Sequence, residues 1–581
     1  MTADPLARSL ILPEPDLPPG STLLDEGRAL AKDWQVGPSA FLDHVGERSE
    51  AAFKRRCAGE NRIMRHGQIG FRDFEKSRRC YHEIWETCDK AGARVDRYGI
   101  TLDWAMGYPL DMRTGPRGTG MWLESPEQCV ALTAAAPVAP HFGDWALGFP
   151  AAVTNTCWAL AAGSTSIGNL GQLFTFRLPG WDDDVTSVAE TVKALGLIAA
   201  QPVEVLVHSN LDDGFSATFT DLSSCLGAAL IERHIVETLI GGSMAHCYGH
   251  HFSEPVARMA FHFALADGAT TPGSMVYGNT TAYRGDEAQN YASLAGYLLT
   301  DILGQMAMPT GHAINPVPVT ENERIPDIDE VVAAQLFADR LIEQAEGLAP
   351  LCDVETAKAQ AAVILEGAHA FRDAVLKGLE ERGYDIACPF ELFLALRRIG
   401  ARQLEKAFGA SAPVVVSPVK QELDAMAARR LDVVPDDQRE TIRAAGLRAL
   451  VATSDVHEHG KSLLETMCGD LGVEALDGGV SVDPDNLAAT AIASGCDMVC
   501  ISTYNGVALR YVSEVLDELR QQGVVIPVLI GGRLNQIPDA SNTSLPVDVA
   551  DRIVGLGAEV CRDAADLVPA LLRLANARNS T

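Results

Sequence analysis

Between about residues 66 and 320 the chain repeats one pattern, in which an amphipathic helical stretch is followed by a short apolar strand that ends in polar residues. Strands are expected at 67–72, 93–104, 138–144, 164–170, 203–211, 243–251, 274–281 and 311–316. Strict alternation of strands and helices in this number is typical of a closed parallel sheet rather than an open one. The pattern therefore predicts an α/β fold with an N-terminal (β/α)8 TIM barrel over residues 63–335.

Polar side chains stand at the carboxyl ends of these strands, which is where such barrels carry the groups that act on a substrate. The set comprises Asp103, His141, Asn169, Gln172, His208, Asn210, His246, Tyr248, His250, Tyr277, Asn279 and His312. Any single member is as readily a helix cap or a hydrogen-bonded core residue. As a set they predict a polar funnel, and we assign the catalytic and substrate contacts to His208, Asn210, His246, Tyr248, His250 and Asn279.

Histidines are concentrated between residues 234 and 262. Because side chains alternate along a strand, His246, Tyr248 and His250 are expected to line the barrel interior together. A divalent metal site is the weaker alternative, since no third ligand with an adjacent carboxylate is evident. Hydrogen bonds to a substrate carbonyl or carboxylate are the preferred interpretation.

The remaining segments frame the barrel. Residues 1–62 predict an N-terminal helical arm, and residues 336–440 predict a helical segment followed by a linker rich in Pro and Val. Residues 441–581 alternate short strands and helices again. This last pattern predicts a C-terminal doubly wound (flavodoxin-like) domain with five strands.

A loop in the last domain carries Asp455 and His457 between an expected strand at 447–453 and an expected helix at 461–471. In an open parallel sheet such a loop lies at the carboxyl edge, where ligands bind. A carboxylate two residues before a histidine can accept one ring N–H, which fixes the tautomer and strengthens the other nitrogen as a metal ligand. An Asp-x-His pair by itself is more often a surface loop, so further elements are needed.

Those elements follow at regular separations, since Ser502-Thr503-Tyr504 ends the next apolar strand and Gly531-Gly532 ends the one after it. Together with Asp-x-His-x-x-Gly, they resemble the cobalamin-binding domain of B12-dependent mutases and methyltransferases. The resemblance implies that His457 ligates cobalt and that the cofactor is held by Asp455, His457, Gly460, Ser502, Tyr504, Gly531 and Gly532. Tyr504 stands where that family usually has leucine.

A second resemblance covers the barrel. Residues 148–150, 161–171 and 247–257 are similar to the catalytic subunit of glutamate mutase, which implies adenosylcobalamin as the cofactor and His312 beside its adenosyl ribose. The sequence departs from that family at the substrate, where Gly107 and Ala146 stand in place of two arginines and Gly168 in place of a glutamate. Since paired guanidinium groups suit carboxylates, the resemblance implies a substrate other than glutamate.

Two classes of function stay open. In the first, the chain is an adenosylcobalamin-dependent radical mutase, an isomerase in which the cofactor's adenosyl radical abstracts hydrogen before a group migrates. In the second, it is a corrinoid methyltransferase that uses methylcobalamin, for which residues 455–461 (DVHEHGK) are the closer literal match. A complete barrel before the cofactor domain favours the mutase. The helices between 326 and 409 either cover the barrel or cap the cobalamin.

Composition limits the partners and the compartment. A net charge of −30, from 47 basic and 77 acidic residues, argues against binding to nucleic acid. No stretch approaches the eighteen apolar residues of a membrane span, and no secretory leader is recognisable. Thirteen cysteines without a Cys-x-x-Cys pair favour a reducing cytoplasm. We expect a cytoplasmic homodimer that acts on a small molecule.

Overall fold

The computed structural model describes residues 4–211, 218–267, 269–504, 506–537 and 545–579. The chain divides into two compact units. Unit 1 comprises Met1–Leu178 and Asp182–Pro418, and unit 2 comprises Pro179–Trp181 and Val419–Thr581. Within the described ranges no helix combines the length and apolar character needed to cross a bilayer.

Unit 1 consists of short parallel strands and longer helices. Its strands are β1 (His66–Ile69), β2 (Arg97–Ile100), β3 (Ala139–Phe142), β4 (Ser166–Ile167), β5 (Leu206–Asn210), β6 (Ser243–Cys247), β7 (Met275–Val276) and β8 (Ala313–Ile314). Its helices are α1 (Arg8–Ile11), α2 (Gly20–Leu30), α3 (Ala40–Val45), α4 (Glu50–Gly59), α5 (Phe74–Lys90), α6 (Pro126–Thr133), α7 (Ala152–Ala161), α8 (Gln172–Thr175), α9 (Asp184–Ala199), α10 (Leu222–Arg233), α11 (Pro255–Ala266), α12 (Glu287–Ala307), α13 (Ile328–Leu348), α14 (Glu355–Glu380), α15 (Pro389–Ile399) and α16 (Ala401–Phe408).

The strands of unit 1 pair with their neighbours in sequence. Strands β1 to β6 form one parallel sheet in chain order, and β7 pairs in parallel with β8. Isolated parallel bridges join Tyr248 to Val276 and Arg65 to Ile314. Parallel pairing therefore runs from the first strand to the eighth and returns to the first, and each segment expected to hold a strand contains one.

Local sequence signals account for where several helices start. Asp286 and Gln289 form a capping box at the start of α12, in which each side chain accepts a hydrogen bond from the backbone N–H at the other's position. Helix α11 begins with Pro255, whose missing N–H costs nothing in the first turn. Helix α10 ends at Arg233 and continues as π-helical turns over His234–Ile240, where the sequence predicts one uninterrupted helix.

The second half of the expected arm packs into the sheet of unit 1. Lys54 of α4 is fully buried and donates from Nζ to the carbonyl oxygens of Ser274 and Gly311, 2.8 Å away in each case. Ser274 directly precedes β7, and Gly311 lies two residues before β8. Helix α4 therefore contacts the amino ends of the strands, opposite the edge at which the substrate funnel is expected.

The helices after β8 cover unit 1 from outside. Helix α14 packs along α10 and α11, and its Phe371 ring lies edge-on to Phe219 at 5.7 Å. Gly227 of α10 is needed at this contact, because a Cβ there would lie 2.7 Å from the Phe371 ring. The alternative in which the helices between 326 and 409 cover the barrel matches this packing.

Unit 2 contains an open parallel sheet. Its strands are β9 (Arg448–Thr453), β10 (Glu474–Asp477), β11 (Met498–Thr503), β12 (Val528–Gly532), β13 (Asn535–Gln536), β14 (Val547–Asp548) and β15 (Glu559–Cys561). Its helices are α17 (Pro418–Leu431), α18 (Asp436–Ala445), α19 (His459–Leu471), α20 (Pro484–Ser494), α21 (Ala508–Gln521), α22 (Ala550–Leu556) and α23 (Leu567–Asn579). The five-stranded sheet has the order β10-β9-β11-β12-β15, with every pair parallel.

This strand order is that of a flavodoxin-like doubly wound sheet, with β9 and β11 side by side at the point where the order reverses. Apolar side chains of α17, α18, α19 and α23 bury one face, and those of α20, α21 and α22 bury the other. Helix α17 thus lies in the core of unit 2, although its residues fall in the stretch expected to be a linker. Ligand sites are expected at the reversal, beyond the carboxyl ends of β9 and β11.

The ion pair between Glu50 and Arg97 is almost completely buried in unit 1, with 1% and 0% of the two side chains exposed. Replacing Glu50 by Gln leaves Arg97 and Lys54 as buried charges without a counter-charge. We expect this change to lower the free energy of unfolding by about 3–5 kcal/mol. Urea titration followed by tryptophan fluorescence mainly measures unit 1, because six of the seven tryptophans lie there and Trp181 alone belongs to unit 2.

Glu343→Gln is the matched control, because Glu343 pairs with Arg340 on the surface, where both side chains are more than half exposed. Exposed pairs contribute little to stability. Equal unfolding curves for Glu50→Gln and Glu343→Gln would show that the buried pair does not stabilise unit 1.

Candidate functional site

The Asp455–His457 pair forms in the loop between β9 and α19. Strand β9 ends at Thr453 and α19 begins at His459, so the loop is short and holds both side chains close together. Asp455 Oδ1 accepts a hydrogen bond from His457 Nδ1 at 2.8 Å and another from the His457 backbone N–H at 3.1 Å. The pair expected from the sequence is therefore present, with the carboxylate almost wholly buried.

The other oxygen of Asp455 reaches the neighbouring strand end. Oδ2 accepts the backbone N–H of Tyr504 at 2.7 Å, just beyond the last residue of β11. Burial acts to raise the pKa of the Asp455 carboxyl, but the hydrogen bond and charge of His457 and the backbone N–H groups of Tyr504 and His457 outweigh it and lower the pKa below its ordinary value of 3.8. The carboxylate stays ionised and fixes the position of both loops.

This hydrogen bond also sets the state of the imidazole. An ionised carboxylate only accepts hydrogen bonds, so His457 Nδ1 carries a proton and Nε2 is the nitrogen left for a metal ion. The His457 side chain is 30% exposed and its ring lies 4.5 Å from the Tyr504 ring. Tyr504 is itself covered by the Arg533 guanidinium at 5.0 Å from its ring centre. The arrangement presents an oriented imidazole nitrogen at the edge of the sheet.

The small residues around this loop lie where larger ones do not fit. A Cβ at Gly460 would lie 2.1 Å from Ser502 Oγ, so α19 passes directly over the end of β11. Gly532 has a φ of +100° and faces the Thr503 carbonyl oxygen, which excludes any side chain there. The Thr503 hydroxyl is buried without a hydrogen-bond partner in the part of the chain described here. Such a hydroxyl is available to a ligand that enters between β11, β12 and α19.

Unit 1 places some of the expected substrate residues inside its sheet. His208 lies within β5, hydrogen-bonded through Nδ1 to Ser274 Oγ at 2.6 Å, and its ring meets that of His141 edge-on at 4.4 Å. Asn210 is buried at the end of β5, where its backbone N–H donates to Asn169 Oδ1 at 2.8 Å. These residues match the expectation of a polar interior.

Two expected interior residues point the other way. His246 Nε2 is 3.1 Å from Glu232 Oε2 on α10, and the Tyr248 hydroxyl donates to His262 Nδ1 on α11 at 2.8 Å. Both side chains therefore face the surrounding helices, and the prediction that they line the interior is wrong. Side chains alternate between the two faces of β6, and these two residues were assigned to the wrong face. Both faces are buried, so the sequence shows no alternation of polar and apolar residues that would mark the inward one.

The remaining candidates are placed at or beyond strand ends. His250 follows β6 and stacks on His251 at 4.5 Å and on Tyr277 at 4.7 Å. Asn279 caps a short turn, with Oδ1 accepting the Thr281 N–H at 3.1 Å. Its amide donates to Ser253 Oγ at 2.7 Å, so it organises loops at this edge.

The prediction for His312 needs a correction. The residue directly precedes β8, which starts at Ala313, and its ring lies against Gly273, just before β7. It is therefore at the amino edge of the strands, the edge opposite the one at which a ribose site is expected. The segment 311–316 was expected to be one strand, and that expectation placed His312 too far along it.

Sequence reasoning missed the charged centre of the interior. All five N–H groups of Arg97 are used: Nε donates to Glu50, Nη1 to His66 Nδ1 and the Met275 sulfur, and Nη2 to the Ser166 and Ser274 hydroxyls. An arginine at the start of a short strand is typical of a surface position. The one sequence signal for burial of Arg97 is its place as the first residue of the buried strand β2.

Histidines near Arg97 are neutral. Burial, together with the charge of Arg97, lowers the pKa of His66, His141 and His208 well below the ordinary 6.5. His141 Nδ1 donates to the Ser166 carbonyl oxygen at 3.0 Å, so its Nε2 carries a lone pair. That nitrogen is buried and has no hydrogen-bond partner among the described residues. The interior thus offers a neutral acceptor to a donor group such as a hydroxyl.

The role of Asp455 can be tested without any ligand. Asp455→Asn leaves one acceptor oxygen where the carboxylate uses two, so the N–H of Tyr504 or that of His457 loses its partner. We expect peptides that cover 454–461 or 503–511 to exchange amide hydrogen about tenfold faster at neutral pH. Hydrogen–deuterium exchange with mass spectrometry measures this, and Asp485→Asn, an exposed carboxylate at the start of α20, is the control.

The effect should depend on pH in one direction. Since the folded-state pKa of Asp455 is below 3.8, its contribution is fully present above that pH and is lost as the pH falls through the lowered value. After correction for intrinsic rates, amide exchange should therefore be faster in Asp455→Asn than in wild type at neutral pH. In strong acid the two proteins should exchange at the same rate. Identical exchange of the two proteins at neutral pH would contradict the bridging role.

Comparisons with known proteins bear on the second unit. Residues 447–565 match the family model of the B12 binding domain. Among solved structures, a novel cobalamin-binding protein from Desulfitobacterium hafniense DCB-2 is 23% identical, with 27% of this chain and 80% of that chain covered and a TM-score of 0.20. That likeness is too weak in structure to carry an argument. No curated protein matches the chain. The family match confirms the prediction for this end of the chain: residues 447–565 form a B12-binding domain.

Proposed function

We propose that this chain is an adenosylcobalamin-dependent mutase that rearranges the carbon skeleton of a small carboxylic or acyl substrate. The observation that carries the proposal is the parallel pairing of unit 1, which runs through eight strands and returns to the first. Such pairing supports a (β/α)8 barrel with its own interior chamber. A chain that combines this chamber with a B12-binding domain can hold both substrate and cofactor.

The residues of unit 2 fit cobalamin. Imidazole is a ligand that cobalt accepts, and the Asp455 bond leaves the His457 lone pair on Nε2. Side-chain-free residues at Gly460, Gly531 and Gly532 and the buried Thr503 hydroxyl suit the nucleotide tail of the cofactor. When bound, adenosylcobalamin supplies a carbon-centred radical by cleavage of its cobalt–carbon bond, and the protein contributes orientation and exclusion of water.

The interior of unit 1 supports a substrate with few charges. Arg97 has no N–H left for a ligand, because all five are bound within the protein. The positions aligned with substrate arginines are apolar in their surroundings: a Cβ at Gly107 would meet Leu178 at 2.9 Å, and Ala146 lies in the main apolar core. A dicarboxylate would be buried there without a counter-charge, at a cost of several kcal/mol. Glutamate is therefore a poor candidate.

His141 and His208 are the residues that we assign to substrate contact. Both are neutral at physiological pH, so they bind by hydrogen bonds and leave the substrate's charge unchanged. His141 Nε2 accepts, which suits a substrate hydroxyl or amide N–H. His250 and Asn210, at the carboxyl edge of the strands, stay in the proposed site. His246 and Tyr248 act at most through the helices that they contact.

The rival class, a corrinoid methyltransferase, is favoured by the closer literal match of residues 455–461, which ends at Lys461. In the structure Lys461 is buried in α19, where it pairs with Glu465 and with Asp477 at 3.0 Å. Those ion pairs give Lys461 a structural role within unit 2. A structural role of this kind weakens the lysine as an argument for methyl transfer.

Cobalt ligation is testable by spectroscopy. We expect the cob(II)alamin form bound to this protein to show hyperfine splitting from His457 in electron paramagnetic resonance. Labelling the protein's histidines with nitrogen-15 should change each triplet into a doublet, because the nuclear spin changes. His459→Ala, two residues away, should keep the histidine pattern, and His457→Ala should lose it. An unchanged pattern in His457→Ala would rule out ligation by this residue.

The class of reaction is testable by isotope transfer. With adenosylcobalamin tritiated at the 5′ carbon and a panel of short hydroxy and acyl acids, we expect tritium to enter the product without any methyl donor. Glutamate in the same panel should give no 3-methylaspartate, because its carboxylates would be buried without a counter-charge. Methyl transfer to a thiol from methylcobalamin, with no tritium in any acid, would decide for the methyltransferase.

A further inference from the structure

Asn315 directly follows β8, which ends at Ile314, and so stands at the carboxyl edge where substrate groups are expected. Its side chain is buried, with 2% of the residue exposed. The amide Nδ2 nevertheless donates to no acceptor among the described residues. A buried amide left in this way is typical of a site that a bound molecule completes.

Alternation along β8 turns Asn315 towards the interior of unit 1. Ile314 packs with apolar side chains of α12, the helix that connects β7 and β8 on the outside of the sheet. Ala313 packs instead with residues of β3, β6 and β7, including Met275, whose sulfur contacts the buried Arg97. Asn315 lies two residues after Ala313 and therefore faces the same side.

His141 offers a complementary group from β3. Its Nε2 is buried, carries a lone pair and has no hydrogen-bond partner within the ranges that the structure describes. Gly143 follows two residues later, and a Cβ there would lie 2.5 Å from that nitrogen. The missing side chain therefore keeps the acceptor open towards the carboxyl edge.

The donor and the acceptor reach the interior from separate strands. Strands β1 and β2 lie between β8 and β3 in the pairing, and the two atoms do not bond each other. The interior of an eight-stranded barrel is just wide enough to hold one small ligand. One molecule with an acceptor at one end and a donor at the other can satisfy both residues.

The charge of the interior selects among possible donors. Arg97 already places a positive charge beside His141 and lowers the pKa of that imidazole. A substrate ammonium group in the same place would meet the same repulsion. A hydroxyl donates a hydrogen bond to His141 Nε2 without adding charge.

We propose that the substrate is a small hydroxyacyl compound, whose carbonyl or carboxylate oxygen accepts from Asn315 Nδ2 and whose hydroxyl donates to His141 Nε2. This inference rests on the proposed function, because it specifies the substrate of that same chamber. An analogue that lacks either group leaves a buried polar atom unpaired. Sites of this kind reject such analogues strongly.

Calorimetric titration of the full chain without cobalamin tests the selection independently of turnover. The probes are the 2- and 3-hydroxy isomers of butyrate and of butyramide. Butyrate and butyramide lack the hydroxyl, 2-butanol lacks the carbonyl, and 3-aminobutyrate carries an ammonium group instead. We expect a hydroxylated acid or amide to bind at least about fivefold more tightly than each of these analogues. Preference for the amide identifies a neutral carbonyl, and preference for the acid identifies a free carboxylate.

Two variants locate the binding. Asn315→Ala removes the donor and should weaken the preferred probe by at least about fivefold. Gly143→Ala keeps His141 but places a methyl group against its Nε2, and should abolish the preference for the hydroxylated probe. Gly59→Ala, at the end of α4, is the matched control, because a Cβ there has no neighbour within 4 Å.

Unfolding in urea separates a binding role of Asn315 from a structural one. Asn155 is also buried, but its Nδ2 donates to the carbonyl oxygens of Met106 and Trp145 at 2.8 and 2.9 Å. Asn155→Ala should therefore lower the urea midpoint. Asn315→Ala breaks no hydrogen bond of Nδ2 and should leave the midpoint nearly unchanged.

The proposal is overturned if no hydroxylated probe binds at about 10 mM, a very weak affinity, or if the analogues bind as tightly. Unchanged binding in Asn315→Ala and Gly143→Ala, or equal loss of stability in Asn315→Ala and Asn155→Ala, also overturns it. Failure of the proposed function is a different result, in which the hydroxylated probes bind as expected but no tritium is transferred.

Discussion

A guanidinium group that is shut off from water must have every N–H paired, and Arg97 meets this condition with partners from four parts of unit 1. Glu50 comes from α4, His66 from β1, Ser166 from β4, and Ser274 from the residue before β7. Moving any of them would leave a buried charge or donor unpaired, which costs more than most single packing defects. The relative positions of these strands and of α4 are therefore fixed by one side chain. Burial and the positive charge of Arg97 together lower the pKa of the nearby histidines and keep them neutral.

In unit 2 a buried carboxylate, that of Asp455, fixes the positions of two loops in a comparable way. Asp455 binds the loop after β9 and, through the Tyr504 N–H, the end of β11. Since both strand ends meet at the reversal of strand order, a single carboxylate orients the metal-ligand candidate and joins the two loops around it. Gly460 and Gly532 then allow α19 and β12 to pack closely against the end of β11.

The two units differ in how far the sequence predicted them. The site in unit 2 depends on loop residues at fixed separations, and the structure brings Asp455, His457 and Tyr504 together as the motif implies. In unit 1 the strand segments were recognisable, because apolar runs ending in polar residues mark them. The direction of side chains was not, since parallel strands are buried on both faces and either parity is apolar. That is why His246 and Tyr248 were assigned to the interior, and why Arg97 and Glu50, whose partners lie far away along the chain, were not.

The contact of α4 with the amino ends of β7 and β8 has a consequence for how the chain is made. Lys54 leaves the ribosome early, but the carbonyl groups it binds belong to residues 220 and 257 positions later. Until those residues are synthesised, Lys54 of α4 lacks the two carbonyl groups that it binds in the folded chain. Contacts of such long range form slowly and leave apolar surface open to other chains in the meantime. The N-terminal helices therefore dock among the last elements of unit 1, and the nascent protein needs protection there for most of its synthesis.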